Sequence, residues 1–392
     1  MGTGEKTSPS PVKKTAKSRR KTTPRKSASQ PNEHDYVQLL TPEGKRVKHS
    51  DFDVELTQDQ HRAMYRDLVI ARRIDSEGVA LQRQGQLGLW PSLLGQEAAQ
   101  IGSAHALAPQ DMVFPSYREL GVLWSRGVDP ITPFELFRGV NMGAIDSVKQ
   151  KFHMYTVVIP AQTMHATGYA MGIAKEGKVG TDDGEAVITY HGDGATAQGE
   201  FNEALIWSGV HNAPVVFFCQ NNQYAISESN NRQFRTPVHQ RAAGFGMPGY
   251  YVDGNDVLAT YAVTKHAIEA ARAGEGPSVI EAYTYRMGAH TTADDPTRYR
   301  DKAEEEAWRA KDPISRYQTY LEKEGIADEA YFEELDQEVD TIARELRDRV
   351  INLPNPKPDA MFDGLYVDPH NELDEQRASL AEYLASFEGS DA

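Results

Sequence analysis

Asp193 and Asn222 are the residues of this 392-residue chain whose types and spacing best suit metal chemistry. Asp193 follows a short apolar run in His-Gly-Asp-Gly-Ala, and Asn222 follows a second run in Gln-Asn-Asn. The two residues are 29 positions apart, which suits one strand–helix–strand crossover between parallel strands that are often neighbours. We therefore expect both side chains at the same carboxyl edge of a sheet, where open α/β folds bind ligands.

The chemical types of these two side chains indicate which metal ion they would bind. A carboxylate and an amide carbonyl are hard oxygen ligands of the kind that Mg²⁺ prefers, and Mg²⁺ takes its remaining ligands from phosphates, backbone carbonyls and water. Gly192, Gly194 and Ala195 keep the loop small enough for backbone N–H groups to approach a phosphate, and a helix beginning near Gly199 adds its positive end. Each motif alone is also an ordinary turn sequence, so the prediction of a magnesium–phosphate site depends on the pair.

The elements that must position these residues alternate between strand and helix. Strands are predicted at 186–190, 215–219, 250–252 and 278–284, with helices at 161–175, 199–211 and 256–273. This alternation predicts an α/β fold in which a parallel β-sheet is covered by helices on both faces.

Helical extensions are predicted on either side of this sheet. Upstream come a small hairpin at 36–48, a helix capped by Thr57 and Gln60, and helices near 96–107, 117–126 and 133–139. After residue 300 we expect a helical C-terminal extension, with an apolar stripe on one helix (Leu335, Val339, Ile342 and Leu346) and a last helix at 372–386. The domain is therefore expected to span 35–385.

The N-terminal residues 1–34 are predicted to be a disordered basic tail. Residues 1–30 contain nine Lys or Arg and one acid, so they contribute +8 to the net charge of −15 and the remainder contributes −23. The tail lacks apolar side chains to bury, which favours a solvated segment; tethering to nucleic acid, docking to an acidic partner and an organelle transit peptide stay open as alternatives. The acidic remainder argues against nucleic-acid binding by the folded part.

Cysteine content and hydropathy exclude further classes of site and of protein. A single cysteine, Cys219, excludes an internal disulfide and a cysteine-cluster metal site, and its apolar surroundings predict a buried side chain. No apolar run approaches the roughly 18 residues of a membrane span, and no signal peptide is recognisable, so we expect a cytoplasmic protein that does not bind membranes.

The chain resembles a known enzyme family. Gly192-Asp193-Gly194 followed by Asn221-Asn222 is similar to the signature of thiamine diphosphate enzymes. The wider segments resemble the α subunit of the decarboxylating component of 2-oxo acid dehydrogenase complexes: YHGDGATAQGEFNEAL, FFCQNNQYAIS, VDGNDV, YRMGAHTTADDPTRYR, KDPISRY, RQGQLG, GQEA and FPSYREL. The resemblance covers residues 35–385 and implies the thiamine diphosphate-binding fold.

The resemblance also implies a set of site residues. Asp193 and Asn222 match the family's side-chain metal ligands, and Tyr224 matches the position whose backbone carbonyl completes the metal site. His290 matches a catalytic histidine at the diphosphate end that is required for reaction with the acyl-carrying lipoyl group. The implied cofactor contacts are Tyr117, Arg118, Ile159, Asp193, Gly194, Ala195, Asn222, Ala225 and His290.

The implied reaction is thiamine diphosphate-dependent oxidative decarboxylation of a 2-oxo acid, with reductive acylation of a lipoyl group on the acyltransferase component. We favour the branched-chain substrate 2-oxoisovalerate, with pyruvate as the alternative. In the family a glutamate on a separate pyrimidine-binding domain activates the cofactor, and this chain offers no second sheet domain. The resemblance therefore implies a β subunit and an α₂β₂ heterotetramer.

Some positions depart from the family pattern. Gln220 stands where some branched-chain relatives carry an arginine, and Thr291 and Thr292 follow the matching histidine where mitochondrial members have a regulated serine. The stretch Asn141–Thr156 does not match the usual pattern. Taken alone, Tyr117-Arg118 equally suits a surface pair at a helix start, and we interpret His191 as structural.

Two other functions stay open at this stage. One is a non-catalytic binding subunit, and the other is a Mg²⁺ phosphohydrolase with Asp193 as its nucleophile. The hydrolase requires a second acidic cluster near Asp193, and the sequence offers none.

Overall fold

Seven strands are found in the computed structural model, which describes residues 36–141 and 145–387. They are β1 (Met112–Phe114), β2 (Val187–Gly192), β3 (Val215–Asn221), β4 (Tyr224–Ala225), β5 (Glu228–Ser229), β6 (Gly249–Asp253) and β7 (Ser278–Tyr283). Five of them form one parallel sheet in the order β1-β2-β3-β7-β6, while β4 and β5 form a short antiparallel ribbon. The predicted tail of residues 1–34 lies outside the described residues.

Helices cover both faces of the sheet. They are α1 (Gln58–Arg83), α2 (Glu97–His105), α3 (Leu120–Ser125), α4 (Ile131–Arg138), α5 (Ser147–Gln150), α6 (Ala161–Lys175), α7 (Gly199–Val210), α8 (Asn230–Gln233), α9 (Val238–Arg241), α10 (Val257–Ala273), α11 (Lys302–Arg309), α12 (Pro313–Lys323), α13 (Glu329–Ile351) and α14 (Asn371–Ala385). This arrangement confirms the predicted α/β fold with a helical C-terminal extension.

Alternate residues of the central strands enter two separate cores. In β3, Val216 and Phe218 join the larger core with α1, α2 and α10, whereas Val215 and Phe217 join the smaller core with α6 and α7. Because both faces are covered, the strand is apolar from Val215 to Cys219, as is typical of parallel sheets. Cys219 lies in the smaller core as a buried free thiol, which confirms its prediction.

Three local features differ from expectation. The short strand β1 was not predicted, because it has three residues and its pairing with Val187–Thr189 comes from a distant part of the chain. The hairpin at 36–48 is reduced to one bridge between Leu40 and Arg46, because Val37 instead pairs with Val252 at the edge of the sheet. The helix predicted at 117–126 begins only at Leu120.

The flanking helices follow their predicted signals closely. Thr57 accepts from the Gln60 backbone N–H and the Gln60 side chain accepts from that of Thr57, which is the predicted capping box. On α13 the buried face contains Ala343 in place of the half-buried Ile342, beside the predicted Leu335, Val339 and Leu346. No helix among the described residues is long and apolar enough to cross a membrane.

Candidate functional site

The site lies at the carboxyl ends of β2 and β3, which are paired so that Gly192 is beside Gln220. A short 3-10 helix, Asp193–Ala197, follows β2, and the loop with Asn222 follows β3. The pocket between these loops has a volume of about 240 Å³. Its walls include every residue that was predicted to contact cofactor or metal: Tyr117, Arg118, Ile159, Asp193, Gly194, Ala195, Asn222, Tyr224, Ala225 and His290.

Asp193 is a buried carboxylate that a nearby cation would stabilise. Its side chain is 1% exposed and accepts a hydrogen bond of 2.8 Å from the Gln233 amide. Burial raises the pKa of Asp193 to about 6, against the opposing effects of the Gln233 hydrogen bond and the Arg286 charge. A positive ion beside this carboxylate would offset the cost of burying it.

Arg286 donates hydrogen bonds to two of the oxygens that were predicted to bind a metal ion. Its Nη1 donates to the Tyr224 carbonyl at 2.9 Å and to Asn222 Oδ1 at 3.4 Å, and its Nη2 donates to the Ile226 carbonyl at 2.9 Å. The Asn222 amide is oriented by its Nδ2, which donates to Gln96 Oε1 at 3.1 Å and leaves Oδ1 facing the guanidinium. Two of the three predicted ligand oxygens therefore face one cationic group.

Sequence analysis missed Arg286, although a signal was present. It lies four positions before His290 in YRMGAHTT, just after the strand β7, and β7 pairs with β3. Burial lowers the pKa of Arg286 to about 10, with a further lowering from the Arg118 charge, so the guanidinium is still charged at neutral pH.

Arg118 and His290 form the other wall of the pocket. Arg118 Nη2 donates to the His290 carbonyl at 2.9 Å and lies 3.4 Å from His290 Nδ1, while Nη1 donates to the Ser92 carbonyl. The Tyr117 ring meets His290 edge-on at 6.3 Å between ring centroids and lies 5.4 Å from the Arg118 guanidinium carbon. Arg118 is 7% exposed, so the surface-pair interpretation of Tyr117-Arg118 is wrong.

The electrostatics keep His290 neutral. Burial lowers its pKa to about 3, helped by the nearby charges of Arg118 and Arg286 and opposed by Asp294. An arginine can only donate, so Nδ1 must be the acceptor in its contact with Arg118 and the ring proton is assigned to Nε2. His290 therefore presents a neutral imidazole with one N–H.

Glu119 is a second residue that sequence analysis missed. It accepts hydrogen bonds from Gln220 Nε2 at 2.6 Å and from the Ser116 hydroxyl at 2.8 Å, and burial raises its pKa. Gln220 Oε1 in turn accepts from Gln100 Nε2 at 3.0 Å. Gln220 thus links neighbouring polar groups without adding a positive charge to the pocket.

Two further predicted residues lie at the edges of the site. Ile159 lines the pocket mouth and is 37% exposed. His191 is fully buried, packs against Phe201 with tilted rings at 4.7 Å between ring centroids and lies outside the pocket wall, as expected of a structural residue. In the stretch 141–156 that departs from the family pattern, Thr156 N–H donates to the Ser116 carbonyl, while 142–144 lie outside the described residues.

Two buried arginines beside a buried carboxylate and amide suit an anion bound together with a cation. A hydrolase would need a further acidic cluster, yet in the part of the chain that the structure describes no three His, Cys, Asp or Glu residues are grouped to hold a metal. The two arginines suit a phosphate-bearing ligand.

Gly194 offers a test of how tightly the two loops pack. A Cβ at Gly194 would lie 2.6 Å from the Ala225 Cβ, whereas one at Gly199 meets nothing within 4 Å. We expect Gly194→Ala to lower the free energy of unfolding by about 1–3 kcal/mol through this clash. Gly199→Ala is the matched control and should be neutral or stabilising by up to about 1 kcal/mol, since alanine favours helix. Urea denaturation measures both, and equal stability of the two variants would contradict the close contact.

Comparison with known proteins identifies the family. Residues 65–359 match the family described as dehydrogenase E1 component. The α subunit of 3-methyl-2-oxobutanoate dehydrogenase from Mycobacterium tuberculosis (strain CDC 1551 / Oshkosh) is 42% identical over 350 residues, which cover 89% of this chain and 94% of that protein. The α subunit of the pyruvate dehydrogenase E1 component from Staphylococcus epidermidis (strain ATCC 35984) is 40% identical over 296 residues, covering 75% and 78% of the two chains.

The family match bears on the cofactor and on the subunit composition of such enzymes. Its enzymes depend on thiamine diphosphate, and its α subunits generally pair with a β subunit and a lipoyl acyltransferase. The match spans most of the chain and confirms the resemblance inferred from the motifs. The chain belongs to the dehydrogenase E1 component family, as an α subunit of a 2-oxo acid dehydrogenase.

Proposed function

We propose that this pocket binds the diphosphate end of thiamine diphosphate together with one Mg²⁺ ion, held by Asp193, Asn222 and the Tyr224 carbonyl. The observation that carries the proposal is the common orientation of Asn222 Oδ1 and the Tyr224 carbonyl toward one cation, Arg286. With the buried Asp193 carboxylate, these atoms would supply hard oxygen ligands of the kind that Mg²⁺ prefers, and Mg²⁺ would take its remaining ligands from phosphate and water.

The other residues have distinct roles in this proposal. Arg118 binds a phosphate oxygen, for which a guanidinium is well suited, and Tyr117 packs beside it. The backbone at Gly194 and Ala195 lies against the phosphates, where their small side chains permit a close approach. Ala225 and Ile159, which line the pocket, would provide apolar contact to the rings of the cofactor, with Ile159 placed to support the bent cofactor.

When bound, thiamine diphosphate supplies the electron sink for decarboxylation of the 2-oxo acid. His290 is the catalytic residue that this chain contributes. Its neutral ring carries the proton on Nε2, because Nδ1 faces Arg118, and this N–H can donate a hydrogen bond that orients the lipoyl group during acylation.

A second chain is needed to complete the site. A volume of about 240 Å³ is smaller than the roughly 300–1,000 Å³ of a pocket that encloses a whole small molecule. Ile226, which lines the pocket, is 55% exposed, and Val157 and Val158, which precede the pocket residue Ile159 in the chain, are 60% and 77% exposed. A β subunit in an α₂β₂ heterotetramer would cover this rim and bring the glutamate that activates the cofactor.

The substrate proposed is a branched-chain 2-oxo acid, with pyruvate as the alternative. The mycobacterial 3-methyl-2-oxobutanoate dehydrogenase subunit is similar over 350 residues, whereas the staphylococcal pyruvate dehydrogenase subunit is similar over 296. The acyl group would pass to the lipoyl group of an acyltransferase component. We also propose a cytoplasmic location, which suits a chain whose one cysteine is a buried free thiol.

The proposal predicts activity only in the assembled enzyme. The purified chain alone should not decarboxylate any 2-oxo acid, and co-expression with its β subunit should restore turnover in a decarboxylation assay with an artificial electron acceptor. We expect kcat/KM for 3-methyl-2-oxobutanoate to exceed that for pyruvate by at least about tenfold, since each buried methylene contributes about 1–3 kcal/mol to such discrimination.

Two results would contradict these expectations separately. Robust turnover by the isolated chain would show that the site needs no second subunit. Equal or better turnover of pyruvate by the assembled enzyme would contradict the proposed branched-chain substrate, but not the need for a second subunit.

The metal assignment predicts that Asp193→Ala abolishes Mg²⁺-dependent binding of thiamine diphosphate in the α–β assembly. The substitution removes the one carboxylate of the ligand set, and calorimetry measures the loss. Asp182→Ala, on an exposed turn, is the control and should bind as the unmodified protein does. Unchanged affinity in the Asp193 variant, with the assembly intact, would refute the assignment.

A further inference from the structure

The segment 90–95, here called the strap, joins helix α1 to both walls of the pocket. Trp90 N–H donates to the Thr292 hydroxyl at 3.0 Å, and Thr292 N–H donates back to the Trp90 carbonyl at 3.0 Å. The Leu94 carbonyl accepts from Met287 N–H at 3.0 Å. The strap therefore holds the loop that carries His290 on both sides of that residue.

The strap also fixes Arg118. The Ser92 carbonyl accepts from Arg118 Nη1, while Arg118 Nη2 donates to the His290 carbonyl. Arg118 is thus held between the strap and the histidine loop, with its guanidinium at the pocket wall. A shift of the strap would move both the phosphate-binding arginine and the histidine.

One buried carboxylate on α1 holds the strap. Asp75 is 3% exposed, and its Oδ1 accepts from Trp90 Nε1 at 2.9 Å and from Leu93 N–H at 3.1 Å. Its Oδ2 accepts from the Ser92 hydroxyl at 2.6 Å. Three hydrogen bonds from the strap thus end on one side chain, and Asp75 does not line the pocket.

The Trp90 indole packs closely between Gly78 and Phe134 beneath the strap. A Cβ on Gly78, one turn after Asp75 on α1, would lie 2.2 Å from Trp90 Cε2, so the indole rests directly on the glycine backbone. On its other side the indole packs against Phe134 at 4.4 Å between ring centroids. The packing of Trp90 and the hydrogen bonds of Asp75 therefore stabilise the same conformation of the strap.

We infer that Asp75 is a positioning residue for the cofactor site, acting through the strap on Arg118 and on the His290 loop. The inference rests on the proposed function, because it assumes that Arg118 binds the cofactor's diphosphate. Asp75 contacts neither cofactor nor substrate. It supplies acceptors for donors that would otherwise be buried and unpaired, and so keeps the strap in the conformation that the site requires.

The chemistry of the three donors distinguishes two substitutions. In Asp75→Leu, Trp90 Nε1–H and Leu93 N–H lose their acceptor and cannot rotate to find another. In Asp75→Asn, the amide oxygen still accepts from those two donors, and the Ser92 hydroxyl can rotate to accept from the new N–H₂ group. Asparagine should therefore rescue what leucine loses.

The experiment uses the assembled α–β enzyme and two readouts. Hydrogen exchange followed by mass spectrometry on residues 286–294 reports the contact between strap and loop, and calorimetry reports thiamine diphosphate affinity. We expect Asp75→Leu to speed exchange in this peptide and to weaken affinity by at least about tenfold, the effect of leaving buried donors unpaired. Asp75→Asn should stay within about threefold of the unmodified enzyme. Gly78→Ala, which displaces the Trp90 indole without touching Asp75, should behave as Asp75→Leu does.

Asp111 provides the matched control. It is an equally buried carboxylate, but it precedes β1 at the amino edge of the sheet and accepts from Ala108 N–H, Ala186 N–H and Arg272. Asp111→Leu should lower stability without changing exchange at 286–294 or cofactor affinity.

The outcomes separate this inference from the proposed function. Failure of the unmodified assembly to bind thiamine diphosphate would overturn the proposed function, while the exchange data would still test the strap. The positioning role is contradicted if Asp75→Leu and Gly78→Ala both match the unmodified enzyme. It is also contradicted if asparagine gives no rescue, or if Asp111→Leu produces the same losses.

Discussion

The pairing of β2 with β3 is the constraint on which the site depends. Because Gly192 lies beside Gln220 in a parallel register, the residues that follow each strand emerge at one edge of the sheet. This brings Asp193 and Asn222 to the same pocket, and burial of the Asp193 carboxylate then creates a demand for positive charge. Arg286, which arrives from the adjacent strand β7, meets part of that demand, and the proposed metal ion would meet the rest.

Much of this site could be predicted from sequence, because its central pair lies within one crossover unit. The apolar runs of β2 and β3 and the length of the helix between them were sufficient to bring Asp193 and Asn222 together. Arg286 could not be found in that way, because β7 lies next to β3 although β6 precedes it in the chain. Its place at Asn222 and Tyr224 depends on strand order, which local patterns do not encode.

The errors in the predicted fold have the same physical origin. The strand β1 has three residues and is stabilised by pairing with β2, more than seventy positions away. The N-terminal hairpin keeps only the bridge between Leu40 and Arg46, because Val37 pairs with Val252 and so gains a partner in a larger sheet. On α13, by contrast, local periodicity predicted three of the five buried positions, and Ala343 and Val350 were missed.

In the proposed function, cofactor binding depends on the pocket of this chain and on a metal ion together. The proposed ligands of the ion are the Asp193 carboxylate, the Asn222 amide oxygen and the Tyr224 carbonyl, and Arg118 is proposed to bind the phosphates. Calorimetric titration of thiamine diphosphate into the α–β assembly, with Mg²⁺ and again with the metal removed by a chelator, tests this dependence directly. We expect thiamine diphosphate binding to be lost without the metal and restored when Mg²⁺ is returned. Equal affinity in the two conditions would contradict it.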